Sequence, residues 1–400
     1  MSSQQSPSRA WQLTAIIAVV LAVASIGITL IRTGDDSDQA ASSAVVQLPP
    51  EKFLMKGAGQ QEAAHAPDPN AKVEDYQRPD PTLPKPPSGS VKKFTVDTSE
   101  RITRVSDEKP GLRVWSYGVN GRMLKGTGAS PPIVVDEGDK VRITFRNGSS
   151  TAMQVHFPHS FDTHAAEASP QKAFGDVKPG GSLTFEFKAD HAGVFMYHCG
   201  TKPALRHVGA GMAGAMIVRP TGLQKVDREL WLTQQEFYLG EPNGDASVEK
   251  MVAKKPDVIA FNGFASQYLK KPIAVKRGER IRIWVVNAGA SFPSYFHVIG
   301  SVFDRVWSEG DSRGPAQTMS LGPAEGGFVE LTLAAEATYP FVTHAFGDMV
   351  RGAIGALRTA KAPAESTSDT TANATGGDGG HEMGGHDMGS MGGHDMGGGH

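Results

Sequence analysis

Residues 132–147, PIVVDEGDKVRITFRN, return at residues 272–287 as PIAVKRGERIRIWVVN, and this internal repeat decides the fold. Each copy opens on a proline, runs through a short apolar segment, turns at a glycine (Gly138, Gly278) and resumes with apolar residues at every second position. Those positions are Val141, Ile143 and Phe145 in the first copy and Ile281, Ile283 and Val285 in the second. Alternation with a period of two places successive side chains on opposite faces, the pattern of a half-buried strand. The glycine between the two runs supplies the turn. A second echo pairs FMYH at 195–198 with FVTH at 341–344. Short strands punctuated by glycine and proline recur along the chain, with no long helical period. The chain therefore reads as all-β, with two similar β-sandwich domains at roughly 96–222 and 223–360.

The two copies differ where chemistry is concerned. The first holds Cys199, the only cysteine in 400 residues, inside Tyr197-His198-Cys199, followed by His207 and Met212 and preceded by HSFDTH at 159–164. A lone cysteine rules out disulfides within the chain and clusters held by several thiolates. One thiolate, two imidazoles and a thioether are the ligand set of a blue, or type 1, copper centre, here His159, Cys199, His207 and Met212. A merely structural cysteine would not need an adjoining histidine, a downstream His and Met, and an upstream pair of histidines.

Neighbouring residues on a strand face opposite ways, so if Cys199 faces one copper, His198 faces another site. His164 separates from His159 by the same logic, and the second repeat keeps one histidine, His344, at the echo of His198. Three imidazoles, His164, His198 and His344, would leave an open position, as catalytic metal sites do. Asp162 lies between the two upstream histidines, where a carboxylate can orient water or move protons. His297, in FHVIG at 296–300, lies on an apolar strand; residue type alone leaves it either a core histidine or a site residue.

The ends of the chain have a different composition. Residues 13–31 are an uncharged, largely apolar run preceded by Arg9 and followed by Asp35, Asp36 and Asp38. This is long enough to cross a bilayer, with the N-terminus left inside and the body exported, to the periplasm or the outer face of the membrane. A cleaved signal peptide is the rival, but the run continues past the Ala22-Val23-Ala24 site. The segment 1–33 is thus read as an anchor or signal. Residues 34–95, with RPDPTLPKPP at 78–87, are read as a proline-rich tether. Residues 361–400 form a disordered tail ending in alternating histidines and methionines on glycine, suited to copper. A net charge of -2 gives no sign of a nucleic-acid partner.

These residues resemble the copper-containing nitrite reductase family, within the multicopper oxidase superfamily. HSFDTHAA, GVFMYHCG and RHVGAGMAGAMIVRP resemble its first cupredoxin domain; FNG at 261–263, FHVIG, FDRVW at 303–307 and FVTHAF at 341–346 resemble its second. The resemblance covers about residues 100–358. It implies two tandem cupredoxin-like Greek-key sandwiches and reduction of nitrite to nitric oxide. It assigns type 1 copper to His159, Cys199, His207 and Met212, and type 2 copper to His164, His198 and, from a neighbouring subunit, His344. It makes Asp162 and His297 the catalytic pair. It also implies a homotrimer and a small redox donor protein, a cupredoxin or cytochrome c. The chain departs from the family at Thr163, where phenylalanine is common, in the loop 167–175, and at Val302, where some members carry a histidine. Its Cys199–His207 loop is the shorter of two family variants. The alternatives are a two-domain multicopper oxidase, disfavoured because no His-x-His pair occurs, and a copper-handling or electron-transfer protein, favoured only by the tail.

Overall fold

The computed structural model describes residues 67–68, 70–148, 157–166 and 175–363. The expected membrane segment at 13–31, His65, His156, most of the loop 167–175 and the His/Met-rich tail lie outside the described residues. Among the described residues no helix is long and apolar enough to cross a membrane.

Four sheets carry the described residues. The first orders Gly244–Asp245, Leu112–Val119, Val91–Thr103, Lys140–Arg146 and Ser182–Lys188; the second orders Ile133–Asp136, Ala213–Arg219, Gly193–His198 and Asp162–Thr163. The third runs Val258–Phe261, Arg228–Phe237, Arg280–Asn287, Gly326–Thr332, Arg305–Ser308 and Asp311–Arg313. The fourth runs Ile273–Val275, Ile354–Thr359, Thr338–Thr343, Ser294–Val298 and Met319–Leu321. The two copies of the repeat take equivalent places. Ile133–Asp136 and Ile273–Val275 are edge strands parallel to Ala213–Arg219 and Ile354–Thr359, while Lys140–Arg146 and Arg280–Asn287 lie inside the first and third sheets.

Alternation along each strand builds three apolar layers. Val141, Ile143 and Phe145 face Val135, Tyr197 and Met216 in a core between the first and second sheets. Ile281, Ile283 and Val285 face Phe296, Phe341 and Leu357 between the third and fourth. The remaining faces of the second and third sheets meet over Val194, Met196 and Ile217 on one side and Trp231, Trp284 and Trp307 on the other. Each of those indoles takes roughly 200 Å² from water, on the order of 5 kcal/mol. Sheets approach so closely here that a Cβ on Gly326 would lie 2.2 Å from the Val194 carbonyl oxygen. This seam also explains one marked divergence between the repeats. Thr144 and Arg146 of the first copy look outward, whereas their counterparts Trp284 and Val286 are buried at the seam.

Part of the expected tether is laid along the body. Glu74 N–H donates to the Ile102 carbonyl, Leu83 N–H to Glu229 and Trp231 N–H to Pro81. Tyr76 packs on Phe264 at 4.2 Å between ring centroids, Glu74 pairs with Arg101, and Leu83 is buried. The proline-rich segment stays extended, as its composition requires, but from Glu74 to Leu83 it is a docked strap.

Candidate metal centre

The strand Gly193–His198 delivers Tyr197 and Cys199 to the core between the first two sheets, and both are fully buried. Beyond Cys199 the chain folds into the short helix Ala204–Gly209, which brings His207 back over the sulfur. His207 Nδ1 lies 3.4 Å from Cys199 Sγ, and His159 Nδ1 lies 3.9 Å from Sγ and 3.1 Å from His207 Nδ1. His159 is held by paired backbone hydrogen bonds with Val177. Met212, also fully buried, ties the loop closed: its N–H donates to the His207 carbonyl, and its own carbonyl accepts from Cys199 N–H.

Three ligand atoms thus converge in a site with no exposed surface. Burial pushes the Cys199 thiol up, but His159 and His207 outweigh it and hold the thiol well below its usual range. Burial likewise opposes a charge on His159, yet Cys199 and Glu100 raise it overall. Ser160 N–H donates to Sγ at 3.3 Å. A thiolate so stabilised beside two imidazole nitrogens, with a buried thioether in the same loop, is the donor set that type 1 copper takes. The residues fit the group.

On the opposite face of the same strand, His198 Nε2 lies 3.2 Å from His164 Nε2, with the rings nearly perpendicular. His198 Nδ1 sits 3.1 Å from the Cys199 carbonyl, which makes that nitrogen the donor and leaves Nε2 turned to His164. Asp162 is directly opposite His198 in the strand register. A Cβ on Gly200 would come within 3.1 Å of Asp162 Oδ2, so glycine leaves room for the carboxylate. Thr163 faces away from this pair and donates its hydroxyl to Met216 Sδ, so that departure falls in the core.

His297 and His344 form a separate group. Their rings stack at 5.0 Å, His297 Nδ1 meets the Gln317 carbonyl at 2.5 Å, and Phe346 lies edge-on to His344 at 5.4 Å. Among the described residues, their ring contacts are with each other, Phe303 and Phe346. His344 is exposed, and Tyr295, Ile299, Val302, Phe346 and Val350 are exposed as well. The structure thus brings together His159, Cys199, His207 and Met212, then His164 with His198 and Asp162, then His297 with His344. Three contributors escaped the sequence reading: Ser160, Glu100 and Trp115, whose ring lies 5.4 Å from His159 and 5.1 Å from His207.

The chain as a whole is similar to known copper proteins. A multicopper oxidase family model matches residues 103–222. The chain is 33% identical over 312 residues to a copper-containing nitrite reductase from Neisseria gonorrhoeae, covering 74% of this chain and 73% of that one. Among solved structures it is similar to a copper nitrite reductase from Nitrosomonas europaea (TM-score 0.60, 29% identity, 68% of this chain and 94% of that one). A copper-containing nitrite reductase from Thermus scotoductus superposes with a TM-score of 0.58 at 31% identity, over 68% of this chain and 62% of that one. Both neighbours carry the same cupredoxin-like, mostly β architecture.

Proposed function

Because this chain belongs to the copper-containing nitrite reductases, we propose that it reduces nitrite to nitric oxide at a site shared between subunits. The reaction consumes one electron and two protons: nitrite + e⁻ + 2H⁺ → nitric oxide + water. His159, Cys199, His207 and Met212 would hold a type 1 copper, and His164 and His198, joined by His344 of a neighbouring subunit, a type 2 copper. Copper in these positions supplies one-electron transfer at the buried set and Lewis-acid binding of nitrite at the open one.

The observation that carries this reading is the adjacency of His198 and Cys199. Consecutive residues at one strand end send an imidazole to one ligand set and a thiolate to the other. Their shared peptide is the shortest covalent path for an electron between the sets. Asp162, registered opposite His198, would hold a proton beside bound nitrite. His297, whose Nδ1–H is taken by Gln317, keeps Nε2 to pass a second one. The exposed apolar rim around His344 supports assembly into a homotrimer, in which that histidine faces a neighbour. Electrons would come from a small redox protein outside the cytoplasm, with the N-terminal apolar run as the anchor.

Nitric oxide production from nitrite, measured without oxygen on copper-loaded protein with a chemical electron donor, tests the proposal. Sustained turnover at one nitric oxide per electron is expected. A blue protein with both ligand sets filled and no nitric oxide would overturn it.

A further inference from the structure

We propose that Glu100 is a positioning residue for the buried centre, holding the His159 imidazole in its ligating form and lowering the centre's reduction potential. The inference rests on the copper reading above and concerns a residue that the ligand pattern does not include.

Both imidazoles at the buried site converge through Nδ1. For His159 to offer Nδ1 to a metal, the proton of the neutral ring must sit on Nε2. Glu100 Oε1 lies 3.8 Å from that nitrogen, and neither side chain has any exposed surface. A carboxylate behind a ligating histidine fixes both the tautomer and the orientation of the ring, and its loss typically weakens metal binding ten- to a hundredfold. Glu100 comes from the strand Val91–Thr103, in the first sheet, and is registered opposite Trp115. Trp115 lies against both ligand rings and carries the Arg206 guanidinium on its other contacts, 5.3 Å from the ring centroid. Arg206 in turn pairs with Asp245. The carboxylate therefore stands behind His159 in a dry, closely packed wall, where water does not screen its charge. Burying an acid is expensive, and here the acid lies next to an electron-transfer ligand. A fixed negative charge so placed favours the more positive, oxidised metal over the reduced one.

The test is a potentiometric titration of the blue absorption band in copper-loaded protein, with copper retention against a chelator measured on the same samples. Glu100→Gln keeps the shape and removes the charge. It should shift the preference for oxidised over reduced copper by about tenfold, raising the potential by about 59 mV for a one-electron couple, and weaken copper retention about tenfold. Glu100→Asp keeps the charge but withdraws it from His159, and should move both quantities in the same direction by less. If folded Glu100→Gln keeps the wild-type preference for oxidised copper and the wild-type copper retention within twofold, the proposal is overturned. If the parent protein takes up copper without a blue band, the copper reading itself fails, and the role of Glu100 with it.

Discussion

At the residue scale, His198 and Cys199 put two kinds of chemistry one peptide bond apart, and Asp162 meets them across the strand pair. Asp162 is registered opposite His198 but is not part of the buried set, so the two can be separated by substitution. If Asp162 donates a proton as proposed, Asp162→Asn removes that donor while preserving shape, and turnover should fall at least a hundredfold, within the range such groups contribute. His297→Ala should do the same, and in both variants the blue absorption should persist. Full activity in either would remove that residue from the proton path. The candidate ligands were legible in the sequence because their residue types are scarce: a single cysteine with histidines around it has few readings. Ser160 and Glu100 were not legible. Serine and glutamate are common, and what makes them part of the site is a neighbour 39 or 59 residues away in sequence (199 − 160 and 159 − 100), brought in only by the fold.

At the scale of elements, the repeat holds the same cross-strand ion pair in two environments. Arg142 is registered with Glu186, and Arg282 with Glu330. The first pair is about half exposed, at 44% and 54%; the second is buried, at 2% and 0%. Arg282 also meets Glu229 and the Gln224 carbonyl, while Arg280 shares Glu330. An exposed pair contributes about 0–1 kcal/mol, because water already solvates both charges. Breaking a buried one strands its partners and costs about 3–5 kcal/mol. Arg142→Ala should therefore leave urea unfolding nearly unchanged. Arg282→Ala should lower stability by about 3 kcal/mol, toward the low end because Arg280 still faces Glu330. Equal effects would mean that the seam does not exclude water. The strands of both copies could be read from alternation alone. The seam is written in the same lines of sequence, as Trp284 and Val286 against Thr144 and Arg146, but only the packing gives that contrast its meaning. The strap from Glu74 to Leu83 was hidden for a different reason. It docks largely through backbone hydrogen bonds, which any polar, proline-rich segment can make and which leave no apolar period to find.

At the scale of the molecule, the three imidazoles proposed for the second copper are unevenly placed within one chain: His164 and His198 face each other, and His344 is exposed on the surface. An exposed histidine is ordinary, and single exposed apolar residues are too. Four of the exposed apolar residues lie close to the histidines, however: Tyr295 shares a strand face with His297, Ile299 follows the last residue of that strand, Phe346 packs on His344, and Val350 donates its N–H to the Phe346 carbonyl. A patch of this kind marks a surface that another molecule covers. On the proposed reading this surface carries one part of a shared site, and the complementary part would be His164 with His198 of another copy. A head-to-tail contact between two different patches of one chain closes into a ring when the rotation permits, and three copies complete three sites. Placing charge in the patch, as Ile299→Glu with Val350→Glu, should then yield monomers by light scattering. Those monomers should keep the blue centre, whose ligands all come from one chain, while losing the second copper and nitrite turnover together. A monomer that kept both coppers and its activity would require the third ligand to come from within the chain, and would sink the shared site while leaving the buried one untouched.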